Sequence, residues 1–330
     1  MECIGVKCNS STSSCELLKK SQLAPINCIA NPVPMEEKVF LKSELVNQQP
    51  EFALVDSSNG KIVSASVEAI PPISISPATA SSLQVQWGMD ILSCSDSSAE
   101  CYCWSKDTDE WKTFPALIAT HVTGSMSVVG DMPIVIGGHS YSVGADLGTV
   151  EIFNKTTQQW TVKSPLTPGR RRHCAVVIND TALMVIGGYS DSAGYIGSVN
   201  ILDTNEMTWN ELNGLPAPAY DMLCGLVDQT YVLCIGGVAA DQDVNTAYGL
   251  DMALSNPEWK RKASFDLEEP AKEGFIYQFR DHLYCVTFHT PTTLRRMKSN
   301  QATLTWEIMD LFPNSAVGFV SPYVLNGFEI

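Results

Sequence analysis

The chain has 330 residues, of which 45% are hydrophobic and 17% charged, a composition typical of a globular protein. Its 36 acidic and 21 basic side chains give a net charge of -15, which repels polyanions and argues against nucleic acid or an anionic lipid surface as the partner. No apolar run approaches the roughly 18 residues that a spanning helix requires, so we expect no membrane span.

The N-terminal segment is rich in cysteine. Cys3, Cys8, Cys15 and Cys28 lie within its first 28 residues and predict a small disulfide framework with three possible pairings. Their spacing lacks the C-x2-C pairs of a structural zinc site, so we expect no metal, and no other cofactor is indicated. We predict that residues 1–45 form a separate Cys-rich segment and that residues 46–330 form one domain.

Three N-x-S/T triplets, at Asn9, Asn154 and Asn179, agree with passage through a secretory route. The first ten residues lack the basic and apolar stretches of a signal peptide, so an extracellular location would require a processed or truncated chain. We therefore expect an extracellular glycoprotein, with a cytoplasmic location as the alternative.

A repeat of about 49 residues follows the N-terminal segment. One marker is a series of tryptophans spaced by 49, 49, 50 and 47 residues: Trp111, Trp160, Trp209, Trp259 and Trp306. The other is a series of glycine pairs, each 21 or 22 residues before its tryptophan: Gly137-Gly138, Gly187-Gly188 and Gly236-Gly237. Two markers with one period and one phase establish the repeat.

Within one period the residues predict four short strands. The segments HCAVVIND, ALMVIGG, VNILDTN and WNELNGL between 173 and 215 are short apolar or alternating runs separated by turn-forming residues. The glycine pair permits unusual backbone dihedrals where strands converge, and the tryptophan fills the gap between adjacent sheets. The sequence therefore predicts an all-β fold of repeated four-stranded sheets.

These motifs resemble the kelch family. The resemblance rests on IVIGG at 134–138, MVIGG at 184–188 and VLCIGG at 232–237, each followed by its tryptophan, and it covers residues 50–330. Arg170 and His173 stand at the family's usual Arg and His positions. Two repeats depart from the pattern, with Cys94-Ser95 and Thr287-Phe288 in place of the glycine pair. The resemblance implies a β-propeller, in which each repeat is one blade.

We predict six blades. Five repeats carry a tryptophan, and residues 51–68 match the outer strands of a further unit when Asp56 is aligned with Asp203. The C-terminal residues AVGFVSPYVLNGFEI match the first two strands of a unit. Two inner strands from the C-terminus and two outer strands from the N-terminus would then close the ring, which removes exposed strand edges.

Further disulfides are feasible inside the propeller. Cys94 lies on a predicted second strand and Cys101 or Cys103 on the next, so a bond between these strands is possible. The C-Y-C segment also resembles one that pairs with such a cysteine in secreted kelch-like proteins. Cys224 and Cys234 flank a predicted hairpin turn and form a second candidate pair.

Candidate binding residues lie in the loops of the predicted propeller, where rigid scaffolds commonly bind partners. Arg170, Arg171 and Arg172 form a basic run that suits an acidic or phosphorylated peptide, although Arg170 also fits a structural role. His139 and His289 follow second strands and are expected near the pocket mouth. HExxH, GxSxG, P-loop and GxGxxG motifs are absent from the sequence, so no catalytic residue is assigned.

We therefore expect a non-enzymatic module that binds a protein or glycan through its loops. One alternative is a carbohydrate-active or oxidative enzyme that uses the central pocket. Another is a structural subunit that self-associates in an extracellular assembly. Side chains that converge on the axis at the channel mouth would favour the enzyme.

Overall fold

The structure, a computed structural model, describes residues 3–9, 14–19, 39–41, 52–55, 62–64, 82–88, 90–105, 108, 110–279, 282–287, 292–298, 305–312 and 323–324. Contacts between Cα atoms divide the chain into two units, Phe52–Val324 and the two terminal segments Met1–Glu51 and Leu325–Ile330. The domain boundary predicted at residue 45 stays a prediction. No helix among the described residues is long and apolar enough to cross a membrane.

The terminal unit contains one antiparallel sheet, in the order β2-β1-β3. Its strands are β1 (Cys3–Asn9), β2 (Ser14–Lys19) and β3 (Val39–Leu41). Cys8 lies opposite Cys15 in the register of β1 and β2. Cys28 lies outside the described residues.

The larger unit is an all-β propeller, which confirms the predicted fold class. It begins with β4 (Phe52–Val55) and β5 (Ile62–Ser64), which form an antiparallel pair. Blade 1 follows, with β6 (Ser82–Trp87), β7 (Asp90–Ser95), β8 (Cys101–Ser105) and β9 (Glu110–Phe114). Every blade is antiparallel, and its strands adjoin in chain order. We name the strands of a blade a to d, from first to last.

Blades 2 to 4 share one pattern, with a two-residue hairpin between strands b and c. Blade 2 has β10 (Ser125–Val129), β11 (Met132–Ile136), the hairpin β12 (His139–Ser140) and β13 (Ala145–Asp146), β14 (Val150–Asn154) and β15 (Gln159–Lys163). Blade 3 has β16 (Cys174–Asn179), β17 (Ala182–Ile186), the hairpin β18 (Tyr189–Ser190) and β19 (Gly194–Tyr195), β20 (Val199–Asp203) and β21 (Thr208–Leu212). Blade 4 has β22 (Leu223–Val227), β23 (Tyr231–Ile235), the hairpin β24 (Val238–Ala239) and β25 (Gln242–Asp243), β26 (Ala247–Asp251) and β27 (Trp259–Arg261).

Blade 5 completes the set. A single 3-10 turn (Ala263–Phe265) leads to β28 (Gly274–Phe279), β29 (His282–Thr287), β30 (Thr292–Lys298) and β31 (Glu307–Phe312). The last described strand is β32 (Tyr323–Val324). The a strands of neighbouring blades contact one another in chain order, from β6 to β28.

The predicted number of six blades is wrong. The described residues form five four-stranded blades and a three-stranded sheet in the order β32-β4-β5. In this sheet Tyr323 lies opposite Ala53, and Val324 lies opposite Phe52. One C-terminal strand pairs here, where the predicted closure needs two, so closure by two strands from each end is not confirmed.

The described residues form four apolar core clusters, one at each boundary between successive four-stranded blades. The cluster between blades 3 and 4 includes Met184, Val199, Val232 and Leu250, all fully buried. Because burying one such side chain stabilises the fold by about 1.5–3 kcal/mol, packing between blades is a main source of stability.

The glycine pairs lie at the corner between strands b and c, where a neighbouring loop approaches closely. Gly137 and Gly138 have φ values of +64° and +89°. The Gly138 amide donates to the carbonyl of Arg170 at 2.8 Å, a contact that joins blade 2 to the loop entering blade 3. A Cβ at Gly138 would lie 2.7 Å from the carbonyl carbon of His121, so only glycine fits.

The repeated tryptophans also join blades. Trp160 Nε1 donates to the carbonyl of Pro115 at 2.8 Å, on the loop that leaves the preceding blade. The same bond recurs from Trp209 to Ser164, from Trp259 to Asn213 and from Trp306 to Phe265, each at 3.1 Å. The tryptophan therefore fills the gap between blades and also hydrogen-bonds across it.

Candidate functional site

The candidate site is one end of the propeller, where the b–c turns and the d–a loops lie together. They share an end because consecutive strands run antiparallel. Backbone bridges join the two kinds of loop in blades 2 to 4: Val122 with His139, Arg171 with Tyr189, and Tyr220 with Val238. We call this end the loop face and define it as residues 115–124, 137–149, 164–173, 187–198, 213–222, 236–246 and 263–273.

Four residues at equivalent repeat positions form the rim of the central channel. Thr123, Arg172, Asp221 and Glu273 have φ values of +55°, +55°, +53° and +56°. Each amide from Arg172 onward donates to the carbonyl of the preceding member, at 2.9, 2.9 and 2.8 Å. The left-handed backbone is costly for such residues, and the hydrogen bonds between blades hold it in place. We call these four residues the rim.

The channel inside the rim has a volume of about 810 Å³ and is lined by the a strands of the five blades. Cavities of this size accommodate small ligands. His173 lies in its wall, where its Nε2 is 2.8 Å from Ser125 Oγ. Burial, with the nearby charge of Arg170, lowers the pKa of His173 to about 3, so this imidazole is neutral at pH 7.

The rim carries an ion pair between successive blades. Arg172 Nη1 donates to Asp221 Oδ2 at 2.5 Å and lies 3.8 Å from Glu273 Oε1. Burial raises the pKa of Asp221 to about 6; Arg172 opposes this shift and Glu273 adds to it. Three ionisable side chains therefore converge at the channel mouth.

A second charged network surrounds Arg171. Its guanidinium hydrogen-bonds to Asp146, lies 2.8 Å from Asp191 Oδ1 and lies 3.3 Å from His139 Nδ1. His139 Nδ1 is in turn 3.0 Å from Asp146 Oδ1. His139, Asp146 and Asp191 lie close enough together to ligate a metal ion. Arg171 already supplies a positive charge there, which favours an ion-pair network over a metal site.

Three tyrosines pack together beside these arginines. The rings of Tyr195 and Tyr220 stack at 5.4 Å between centroids, and Tyr189 meets both edge-on, at 5.9 and 5.6 Å. Arg171 lies over the Tyr189 ring at 5.1 Å and Arg172 over the Tyr220 ring at 5.7 Å. All three tyrosines are partly exposed. We call them the tyrosine cluster.

One side of the tyrosine cluster is acidic. Tyr195 donates its hydroxyl to Asp241 Oδ1 at 2.6 Å, a bond that raises the pKa of Tyr195. The amide of Asp241 donates back to the same hydroxyl oxygen at 2.9 Å. The Tyr195 hydroxyl and the exposed Asp241 carboxylate therefore form one fixed polar unit.

The structure separates the three consecutive arginines. Arg171 and Arg172 lie at the loop face with His139, but Arg170 is fully buried. Arg170 donates to the carbonyls of Gly187 and Ser198, each at 3.2 Å, and to Ser198 Oγ at 2.9 Å. A buried guanidinium bonded to the backbone of its own blade is a structural group, which argues against partner binding by Arg170; that role stays a prediction. His289 lies outside the described residues.

Sequence reasoning missed the tyrosine cluster and the acidic partners of the arginines. Tyr189 directly follows the glycine pair of its repeat, and His139 does the same in the preceding repeat. Asp221 stands one repeat after Arg172. Aligning the repeats and comparing equivalent positions would have selected both residues. Asp146 and Asp191 give no such signal, because only the loop conformation brings them to Arg171.

Four of the described propeller cysteines form two opposed pairs, and Cys103, Cys174 and Cys285 are free thiols. Cys94 Sγ is bonded to Cys101 Sγ at 2.02 Å, and Cys224 is bonded to Cys234 across the β22–β23 hairpin. Cys103 is a free thiol, and burial next to Asp90 raises its pKa to about 11.

Two of the three N-x-S/T asparagines are exposed. Asn154 lies where strand c ends in blade 2, and Asn179 lies where strand a ends in blade 3, so both belong to the end opposite the loop face. The third, Asn9, ends β1, and its side chain lies outside the description. Sugars at Asn154 or Asn179 would leave the loop face uncovered.

The KLHDC2/KLHL20/DRC7 Kelch-repeats domain model matches residues 123–307, which is more than half of the chain. Together with the blades and their glycine and tryptophan contacts, this match shows that the chain belongs to the Kelch-repeat β-propeller family.

Individual relatives are distant and longer. Acyl-CoA-binding domain-containing protein 4 of Arabidopsis thaliana is 25% identical over 157 residues, 45% of this chain and 23% of that protein. Kelch-like protein 25 of Xenopus tropicalis is 28% identical over 169 residues, 48% of this chain and 28% of that protein. The chain spans less than a third of the length of these relatives.

Among solved structures, that of YjhT is similar to this chain, with a TM-score of 0.56 and 12% identity. The match covers 75% of this chain and 87% of YjhT. At this identity the similarity shows the fold alone.

Proposed function

We propose that the protein is an interaction module and that its loop face binds another protein. Kelch propellers are typically protein-interaction modules, and the loops of a rigid scaffold are their usual binding surface. The tyrosine cluster with Arg171 and Arg172 is the observation that carries the proposal. Tyr and Arg are the residues that contribute most binding energy at protein interfaces.

The geometry of this surface favours binding over a purely structural role. The tyrosine rings are held by edge-on and stacked contacts, and the arginines by ion pairs, so little side-chain freedom is lost when a partner docks. Tyr141 and Val143 in the neighbouring b–c turn, 75% and 70% exposed, extend the apolar surface. We infer that the partner contacts the loop face across blades 2 to 4.

The test is selection of peptides from a phage-displayed random dodecapeptide library on the full chain. Selected peptides should bind Tyr195→Ala at least tenfold more weakly, as expected for an aromatic anchor worth about 1.4 kcal/mol or more. Leu254→Ala changes a residue that is 48% exposed at the opposite end, and it should bind them unchanged. Equal binding to wild type and Tyr195→Ala would refute the proposal.

A second candidate function is a carbohydrate-active site in the channel. It is favoured by the convergence of Arg172, Asp221 and Glu273 at the mouth and by the raised pKa of Asp221, since perturbed groups in a cavity often mark reactive sites. A panel of monosaccharides tested by thermal shift should then stabilise the wild type but not Asp221→Asn. If no sugar of the panel stabilises the wild type, a channel site for these sugars is excluded.

We further propose an extracellular location. The opposed pairs Cys94–Cys101 and Cys224–Cys234 suit an oxidising compartment, and exposed Asn154 and Asn179 suit glycosylation. Mass spectrometry of protein purified from its native source, with and without reductant, should detect both bonds and a glycan on at least one of these asparagines. Fully reduced protein without glycans would overturn the proposal.

A further inference from the structure

The charge of the loop face is opposite to what its arginine run suggests. The segments that define this face contain nine Asp or Glu residues and four Arg or Lys residues. One of those four, Arg170, is fully buried and bonded to its own blade. Two of the nine acids, Asp146 and Asp221, are also nearly buried, with side chains 3% and 7% exposed. The exposed part of the face therefore carries seven acids and three bases, and its net charge is negative.

The remaining basic groups are already paired with acids. Arg171 lies between Asp146 and Asp191, and Arg172 lies beside Asp221 and Glu273. The same holds for Lys272, which is 3.0 Å from Asp243. An acidic partner would have to compete with these carboxylates for each cation, which makes a phosphorylated or acidic peptide a poor fit.

Several acids on the face have no cationic neighbour among the residues that the structure describes. Asp241 is exposed, and its carboxylate and amide are both hydrogen-bonded to the hydroxyl of Tyr195. Glu268 and Glu269 are exposed in the loop that enters blade 5, with no basic partner in the described part of the chain. These carboxylates are free to meet a positive charge.

Tyr195 and Asp241 together suit a Lys or Arg side chain. A cation over a tyrosine ring gains about 0.5–1 kcal/mol at an exposed site, and an adjacent carboxylate adds a charged hydrogen bond. The chain's net charge of -15 would also speed the approach of a cationic partner.

We propose that the partner presents a basic segment to the loop face, with Lys or Arg side chains over Tyr195 and against Asp241. This inference rests on the proposed function and specifies the chemistry of the partner at the same site.

The test uses the full chain and the same random dodecapeptide library, in 50 mM NaCl. Selected peptides should be enriched in Lys and Arg, and their affinity should fall when the salt is raised to 500 mM. Asp241→Asn keeps the shape of the side chain but removes its charge, and it should weaken binding by about threefold to tenfold. The matched control is Glu206→Gln, an exposed acid at the opposite end, which should leave affinity unchanged.

Failure of this inference can be told from failure of the proposed function. Acidic or neutral peptides that bind Asp241→Asn as well as wild type but lose affinity for Tyr195→Ala would overturn the basic partner and leave the interaction face intact. Peptides of any charge that bind independently of Tyr195 would overturn both.

Discussion

Arg172 and Asp221 occupy the same position in successive repeats and form an ion pair at the channel mouth, with Nη1 of Arg172 2.5 Å from Oδ2 of Asp221. The same hydrogen-bonded backbone that links the repeats holds both residues in the left-handed region. The fold thus places opposite charges from two blades side by side and withdraws one of them, Asp221, from water.

Asp221 is expected to make stability depend on pH. Because burial raises its pKa to about 6, the folded state holds the proton more tightly than the unfolded chain, where Asp titrates near 3.9. This contribution is complete below about pH 4 and is lost as pH rises through 6. The free energy of unfolding of Asp221→Asn, relative to that of wild type, should therefore rise between pH 4 and pH 7. Urea unfolding measures this difference.

Asp180→Asn, which removes an exposed acid at the other end of the propeller, is the control for a change of net charge. A difference between wild type and Asp221→Asn that stays constant across this pH range would contradict the assignment.

Gly138→Ala should destabilise the protein by about 2–4 kcal/mol, because the added Cβ would meet the His121 backbone and the left-handed φ would be strained. Gly144→Ala separates the two causes. Gly144 has a φ of +67° but open space around its Cβ position, so its replacement should cost only about 1 kcal/mol. Thermal unfolding measures both, and equal losses would show that the contact with His121 is unimportant.

Arg170→Lys should cost about 3 kcal/mol or more, since a lysine cannot satisfy the acceptors at Gly187, Ser198 and Asn200 together. Its neighbour provides the comparison. Arg171→Lys keeps the charge at a half-buried surface site and should cost less than about 1 kcal/mol. Denaturant unfolding of both variants tests whether Arg170 is structural and Arg171 is not. Similar losses of stability in the two variants would contradict this difference.

Trp160→Phe should cost about 1–3 kcal/mol, because it leaves the Pro115 carbonyl without its donor and reduces packing between blades 1 and 2. Val162→Ala, on the same outer strand and 52% exposed, should change stability by no more than about 0.5 kcal/mol. Unfolding in guanidinium compares the two. A Trp160→Phe variant as stable as Val162→Ala would mean that the bond between blades contributes little.

Much of the fold could be predicted from local pattern. The strand segments between 173 and 215 coincide closely with β16, β17, β20 and β21, because short apolar runs and turn residues act within a few positions of each other. The predicted blade count was wrong because pairing between strands far apart in the chain does not follow from local pattern. Similarity of residues 51–68 to an outer strand pair predicted the pair β4–β5, but similarity cannot show how many strands join it.

The site was predicted only in part. Arg171, Arg172 and His139 are brought together on the loop face, as loop positions suggested. Arg170 differs from Arg171 by one position in the chain, and nothing in their residue type says which one enters the blade interior. The direction of each side chain follows from backbone dihedrals that only the packed loops fix.

The sequence by itself determined the class of fold, because a repeated pattern of glycine pairs, tryptophans and apolar runs specifies one sheet and its contact with the next. The tertiary structure alone decided which charges meet. Asp146, Asp191 and Arg171 come from different blade segments, and the charge of a surface depends on which groups become neighbours. That is why a run of three arginines lies on a face with an excess of acids.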